Sequence, residues 1–237
     1  MLKTTRAVVL KTIRHADRTV VLKAWTEQFG KRSYMVRTGG RSGVPIAALQ
    51  PLNRLELVVD ERPDRDLQVV RELRIERPYM RVPFDAVRGA LALFVQEVLY
   101  KVLREESPDA AMHVFVEEVL ETMDTTNDVR HFPLVFLLQL SGHLGFFPET
   151  SSDGHAYFDL GEGHFVADAH PHSTLLGPPL SHAFITLLDA RLEDMHLLDI
   201  PAPQRRELLD HILLYFRLHL DGLGELRSPA VLHEALG

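Results

Sequence analysis

Apolar positions recur every second residue through the first 75 residues, and after Pro78 they recur every third or fourth. The change of period predicts a strand-built first part followed by a helix-built remainder. Arg6–Lys11 and Thr19–Thr26 are β-branched runs, joined across His15-Ala16-Asp17-Arg18. Phe29-Gly30-Lys31 makes the next turn, since glycine supplies the positive φ that a hairpin needs. Arg32–Arg37 is a third strand, followed by the basic loop Gly39-Gly40-Arg41-Ser42-Gly43. Arg54–Asp60 places Leu55, Leu57 and Val59 on one face, and Leu67, Val69, Leu73 and Ile75 repeat that period, broken once by Arg71. Five short strands in about 75 residues suit a small five-stranded barrel of the OB type.

Beyond Pro78 and Pro83, Phe84, Val87, Leu91, Val95, Val98 and Val102 mark an amphipathic helix, and Val114–Met123 a second. Pro133–Leu144 is apolar nearly all round, which predicts a central buried helix with proline in its first turn and Gly142 or Gly145 at its exit. Phe184, Leu187, Leu188, Leu192 and Met195 predict a fourth helix. Leu208, Leu209, Ile212, Phe216 and Leu220 predict a fifth, with a last short turn over Pro229–Leu236. Residues 146–179 differ: rich in glycine and histidine, they predict a loop-rich inserted subdomain with a small hairpin at Tyr157-Phe158-Asp159 and His164-Phe165-Val166. The expected class is α+β and multidomain, with a barrel domain at 1–78 and an all-α helical domain at 79–237 that carries the 146–179 insert.

Charge sharpens this division. Residues 1–54 hold eleven Lys and Arg against two acids, a net +9, so the chain's −7 leaves −16 for the rest. A cationic module joined to an acidic one points to polyanion binding by the first. The chain has no cysteine, which excludes disulfides, thiolate nucleophiles and Cys-ligated zinc. Residues 1–15 carry five basic groups and no apolar run longer than Ala7-Val8-Val9-Leu10, so no signal peptide is expected. The run Leu134–Leu138 is far short of the roughly 20 residues that cross a bilayer. A cytoplasmic protein with no membrane contact is expected.

Nucleic-acid binding needs cations at phosphate spacing and flat side chains for bases. The candidates are Lys11, Arg14, Lys23, Lys31, Arg32, Arg37 and Arg41, with Tyr34 as a stacking platform. Arg37 and Arg41 frame the glycine loop. Trp25 reads as barrel core in preference to a second platform. His155, His164, His170 and His172 lie among Asp153, Asp159 and Asp168, a set whose atoms suit zinc. Their spacing has no mechanical logic, and they read as loop histidines with surface hydrogen bonds, so no metal ligand is assigned. His143 reads as structural.

The order of features resembles the RecO family of recombinational DNA-repair mediators. The carriers are Ala7-Val8-Val9-Leu10-Lys11, the strand ending Trp25-Thr26-Glu27-Gln28-Phe29-Gly30-Lys31, the Gly/Arg loop with Leu49-Gln50-Pro51-Leu52, and Phe136–Pro148. The resemblance is strongest over 5–60 and 132–150 and weak beyond Pro179. It implies an N-terminal OB fold, a helical C-terminal domain, and a non-catalytic role. That role is binding of single- and double-stranded DNA, annealing of complementary strands, and help in loading RecA on DNA coated with single-strand-binding protein. The implied partners are RecR, the tail of the single-strand-binding protein and, in some bacteria, RecF; the implied place is the cytoplasm, at the nucleoid during repair. Many family members hold zinc with two Cys-x-x-Cys pairs after the glycine-proline exit; here Glu149–His172 has no cysteine.

Such tails are acidic and end in an apolar residue, so a receptor needs an apolar pocket edged by arginine. Arg205, Arg206 and Arg217 on or near the fifth helix, and Arg130, are the candidates. Two other readings compete. One is a metal-dependent hydrolase built on the 153–172 His/Asp cluster; the other is a scaffold whose barrel binds an acidic protein. The sequence has no nucleotide loop, metalloprotease helix or nucleophile triad order that favours an enzyme, and no cofactor is expected.

Overall fold

The structure is a computed structural model that describes residues 2–39, 43–62, 65–104, 108–151, 154–169 and 174–236. Strands β1 (Leu2–Ala16), β2 (Thr19–Thr26), β3 (Gly30–Arg37), β4 (Arg54–Asp60) and β5 (Leu67–Arg77) close into a barrel in the order β1-β2-β3-β5-β4. All pairings are antiparallel except β3 with β5. This is the OB-fold architecture expected from the period-two pattern.

Alternation decides what fills the barrel. Ala7, Val9, Val20, Leu22, Ala24, Tyr34, Val36, Leu55, Leu57 and Val59 point inward and are buried. The first strand is longer than its apolar run suggests. Its first half pairs with β4 (Leu2 with Asp60 through Val8 with Arg54), and its second half pairs with β2 as far as Ala16 and Thr19. Irregular register at Val9/Lys11 and Arg14/Ala16 lets one strand serve both neighbours and close the barrel. Only the middle of β1 faces the core, so only the middle reads as apolar.

Two further helices, α1 (Ala86–Val102) and α2 (Ala110–Thr125), follow, and the chain divides into two compact units, Met1–Asp124 and Thr125–Gly237. The first unit thus contains the barrel, α1 and nearly all of α2. Asp85 caps α1, its carboxylate accepting from the amides of Val87 and Arg88 at 2.9 and 3.2 Å. Phe84, expected on the apolar stripe of this helix, instead precedes it in a short 3-10 turn and is 86% exposed. The cap fixes the helix start at Ala86, after Phe84.

In the second unit α3 (Phe132–His143) is buried on every side, as its composition predicts. It ends at Gly145 (φ 87°), where the Phe146 amide reaches back to the Ser141 carbonyl at 2.9 Å, a Schellman-type exit. Helices α4 (Leu180–Leu188), α5 (Ala202–His219) and α6 (Ser228–Leu236) complete the unit. The fourth helix is shorter than expected: Leu192 and Met195 lie in the turns after it, still buried. The insert forms a three-stranded sheet in the order β7-β6-β8, with β6 Tyr157–Asp159, β7 His164–Val166 and β8 Leu175–Leu176. Its β6–β7 hairpin is the one expected from sequence. Among the described residues no helix is long and apolar enough to cross a membrane.

Candidate nucleic-acid interface

The β1–β2 connection and the β3–β4 loop emerge at the same end of the barrel, where the Arg18 carbonyl accepts from the Thr38 amide at 3.0 Å. Three exposed arginines gather there. Arg14 is at the tip of β1 with its side chain 82% exposed, Arg18 is in the connection, and Arg37 ends β3 opposite Thr19. The segments 14–19, 36–39 and 43–53 contain a single acid, Asp17. It lies 3.9 Å from Arg14 with both groups in solvent, a pairing worth little and easily exchanged for a phosphate. Arg41 lies outside the described residues.

Further down the outer face, Lys11 and Lys23 are register partners across β1 and β2. Lys11 stays exposed, its ammonium 5.0 Å from the Tyr100 ring centroid. The remaining sequence candidates have other roles. Lys31 donates to the carbonyls of Tyr100 and Leu103 at 2.8 and 3.0 Å, and its ammonium lies 4.6 Å from the Tyr100 ring centroid. It therefore satisfies the last carbonyls of α1, at the negative end of the helix dipole, instead of facing solvent. Arg32, at the other end of β3, lies 3.5 Å from Glu61. Tyr34 is corrected outright: it has no exposed surface and packs inside the barrel, so it offers no face to a base. Period two puts it inward beside Leu22, its register partner. Trp25 is also buried, but not in the barrel core, where it was expected: it alternates with the inward Ala24 and lies in register with Val8 and Lys31 on the outer side of the wall. Arg18 is the residue that sequence reasoning missed, although its place in a tight connection, flanked by Asp17 and Thr19, was the available signal.

Part of the basic opening is neutralised within the first unit. Arg54, 1% exposed, pairs with Glu121 of α2 at 2.6 Å and lies 5.0 Å from the Tyr79 ring centroid. Arg77 reaches the same carboxylate at 3.0 Å. Hydrogen bonds from both guanidiniums hold Glu121 below the usual carboxylate range. Arg6 pairs with Glu76 at 2.9 Å and lies 3.8 Å from Glu117, a carboxyl raised by burial against the opposing pull of Arg6 and Arg54. Asp124 accepts from the amides of Met80, Arg81 and Val82 at 2.8, 2.8 and 3.0 Å. Burial raises its pKa, but the three amides outweigh that and leave it below the ordinary value.

In the second unit Arg130, Arg205 and Arg206 edge a pocket floored by Pro133, Leu134, Leu209, Leu232 and Leu236. Arg205 donates to the Ile200 carbonyl at 2.8 Å, and Arg130 grips Asp128 with contacts of 2.6 and 3.0 Å that push the acid down to about 2. Arg206 is exposed. Arg217 does not join them: twelve residues along α5, about 18 Å, it lines a separate depression with Asp210 and Glu225.

The insert's described donors do not fit zinc. Asp159 closes the β6–β7 turn by accepting from Gly161 and Glu162, and His155 Nδ1 lies 3.1 Å from the Phe165 carbonyl. Phe158 at the centre packs on Phe165, Phe184 and Tyr215, with centroids at 4.9, 4.7 and 6.2 Å. Among the described residues no three His, Asp or Glu side chains stand where they could hold a metal ion. Asp153, His170 and His172 lie outside the described residues.

A closed OB-type barrel with a basic rim, continued by helices, defines a class of nucleic-acid-handling proteins. Family models for the recombination protein O N terminal and C terminal regions match residues 1–79 and 83–229. The DNA repair protein RecO of Bacteroides fragilis is 31% identical over 241 residues, covering 99% of both chains. That of Flavobacterium psychrophilum is 28% identical over 238 residues, covering 97% of both, and that of Porphyromonas gingivalis 30% over 243 residues, covering 98%. The chain belongs to the RecO family of DNA repair proteins.

Proposed function

We propose that this protein is a non-catalytic recombination mediator of the cytoplasm. It binds single- and double-stranded DNA, anneals complementary strands, and assists RecA loading on strands coated with single-strand-binding protein, together with RecR. The observation that carries the reading is the cluster Arg14, Arg18 and Arg37 at one rim of the barrel, exposed and accompanied by a single solvated acid. Cations in that setting release condensed counterions from a phosphate backbone without reading sequence, which is what a mediator acting anywhere on a chromosome requires. The names of the relatives support the repair role. The arginine-edged apolar pocket of the second unit supports recognition of the single-strand-binding protein's acidic, apolar-ended tail: Arg205 and Arg206 for the carboxylates, Leu209, Leu232 and Leu236 for the terminal side chain.

The test is a titration of single-stranded oligonucleotide at several salt concentrations. The log–log slope for a single strand is about −0.7 per phosphate neutralised, so replacing Arg14, Arg18 and Arg37 with Ala should flatten it by about 2. A slope that does not change removes the rim from the interface. Wild-type protein that ignores oligonucleotides at low salt ends the reading altogether.

A further inference from the structure

The arginine-edged pocket of the second unit is nearly shut. Its cavity volume is about 20 Å³, room for a single water, whereas a benzene ring fills an engineered cavity of roughly 150 Å³. An apolar side chain can enter only if a wall gives way. Two of the walls are firmly set: Pro133 and Leu134 belong to α3, buried on every side, and Leu209 belongs to α5, which also buries Leu208, Ile212, Tyr215 and Phe216. The third wall, α6, contributes Leu232 and Leu236 and is held differently. Among its nine residues Leu232 is the one large side chain that is fully buried, and Leu236 is half-buried. His233 Nε2 lies 3.5 Å from the Asp210 carboxylate of α5 without forming a hydrogen bond. The connection that leads into α6 turns on Gly222 and Gly224, at φ 81° and 63°. It spans a hollow of about 190 Å³ between Leu213 and Arg217 of α5 and the connection's own Leu223 and Leu226, so little packing resists its movement.

We propose that α6 is a hinged lid on this pocket, and that an acidic, apolar-ended peptide enters only when α6 lifts. The proposal rests on the peptide-binding reading of the pocket given above and adds its regulation. The lid opens at the glycines of the connection, over the hollow, and its outer half carries Leu232 and Leu236 away from Leu209. It then closes with the same leucines against the peptide's last side chain, while Arg205 and Arg206 stay in place on α5 for the carboxylates. Elements that bury few apolar groups open locally long before the whole unit unfolds, and α6 is such an element. The closed lid lowers the apparent affinity by the fraction of time it is open, so whatever holds α6 down also sets how readily the pocket accepts a partner.

The test uses the full chain and a fluorescent acidic peptide ending in phenylalanine. The chain has no cysteine, so an Asp210→Cys/His233→Cys double variant can be bridged at one place by a short bismaleimide, which ties α6 to α5. The bridged protein should bind the peptide at least roughly tenfold more weakly than the same variant unbridged. Equal affinity overturns the proposal. So does an equal loss when a monofunctional maleimide is attached at the two positions without joining them, because that loss is obstruction and not closure. Hydrogen exchange on wild-type protein decides independently, whether or not the variant folds. In the absence of peptide the α6 amides should exchange at least roughly tenfold faster than those in the middle of α5, and saturating peptide should slow them. Protection of α6 equal to that of α5 in the free protein overturns the lid. Wild-type protein that does not bind the peptide at all fails the pocket reading itself, a result distinct from a bridged variant that binds as well as the unbridged one.

Discussion

Replacing Asp124 with Ala removes one carboxylate and leaves three amides, those of Met80, Arg81 and Val82, without their acceptor. Hydrogen bonds to a charged group contribute about 1.5–3 kcal/mol each, so the three together set a ceiling of roughly 4.5–9 kcal/mol. Met80 and Arg81 are exposed, so water can reach the freed amides and recover much of this. A net loss of about 3 kcal/mol is expected. Asp124→Asn, whose remaining oxygen can still serve two amides but whose NH2 confronts the third, should lose about half as much. Trp25, the chain's only tryptophan, is buried on a barrel strand of the first unit, so its fluorescence in urea reports this unit apart from the other. The pH dependence gives an independent check. The native carboxyl lies below its ordinary 3.8, so its contribution is fully present above that value and is lost as pH falls through it toward the folded-state pKa. His113, held down by burial, loses its contribution in a separate window that begins near 6.5. Asp124→Asn should therefore flatten the stability curve only at its acid end, near and below pH 4. Variants within 0.5 kcal/mol of wild type, or curves that stay parallel down to the lowest pH, would refute the anchoring role.

Arg54→Met leaves Glu121 in partial contact with water and should cost only about 1 kcal/mol, whereas Glu121→Ala strands a buried guanidinium and should cost about 3 kcal/mol, read by the same Trp25 curves. The reverse order would show that the carboxylate is not what holds Arg54. Phe158→Ala removes the centre of an aromatic cluster and should destabilise the second unit by about 3–5 kcal/mol in thermal melts, while a chelator leaves the wild-type melt unchanged. Arg205→Ala with Arg206→Ala should weaken an acidic peptide ending in phenylalanine at least roughly tenfold in a fluorescence titration, and Arg217→Ala should leave it unchanged. Equal effects would separate peptide binding from the pocket.

What the sequence revealed and what it hid follow from how far each signal reaches along the chain. The barrel strands, the all-apolar α3 and the β6–β7 hairpin rest on periodicity within a few residues, and that periodicity is local. The pocket of the second unit was half legible. Arg205 and Arg206 are neighbours on one helix, and an arginine-edged apolar receptor was expected, but only the fold brings Arg130 to them and carries Arg217 away. The fate of Lys31 was not legible at all, because its partners are carbonyls about 70 residues later at the end of α1. Tyr34 illustrates the opposite case. The alternation that buries Val36 also buries Tyr34 two residues before it, and the polar Ser33 and Arg37 on the opposite face carry that parity.

The same distinction governs how the basic opening should be read. A net +9 over residues 1–54 counts every cation alike, yet the structure sorts them by what faces them. Arg6 and Arg54 meet Glu76, Glu117 and Glu121; Lys31 meets carbonyls; Arg32 meets Glu61. Among the described residues, the exposed arginines at the β1–β2 connection have one exposed aspartate beside them. The acids of α2 neutralise the barrel on the strands they cover and leave the β1–β2 rim uncovered, so the cationic field is concentrated at one end instead of spread around the surface. A polyanion approaching this unit is drawn to that end.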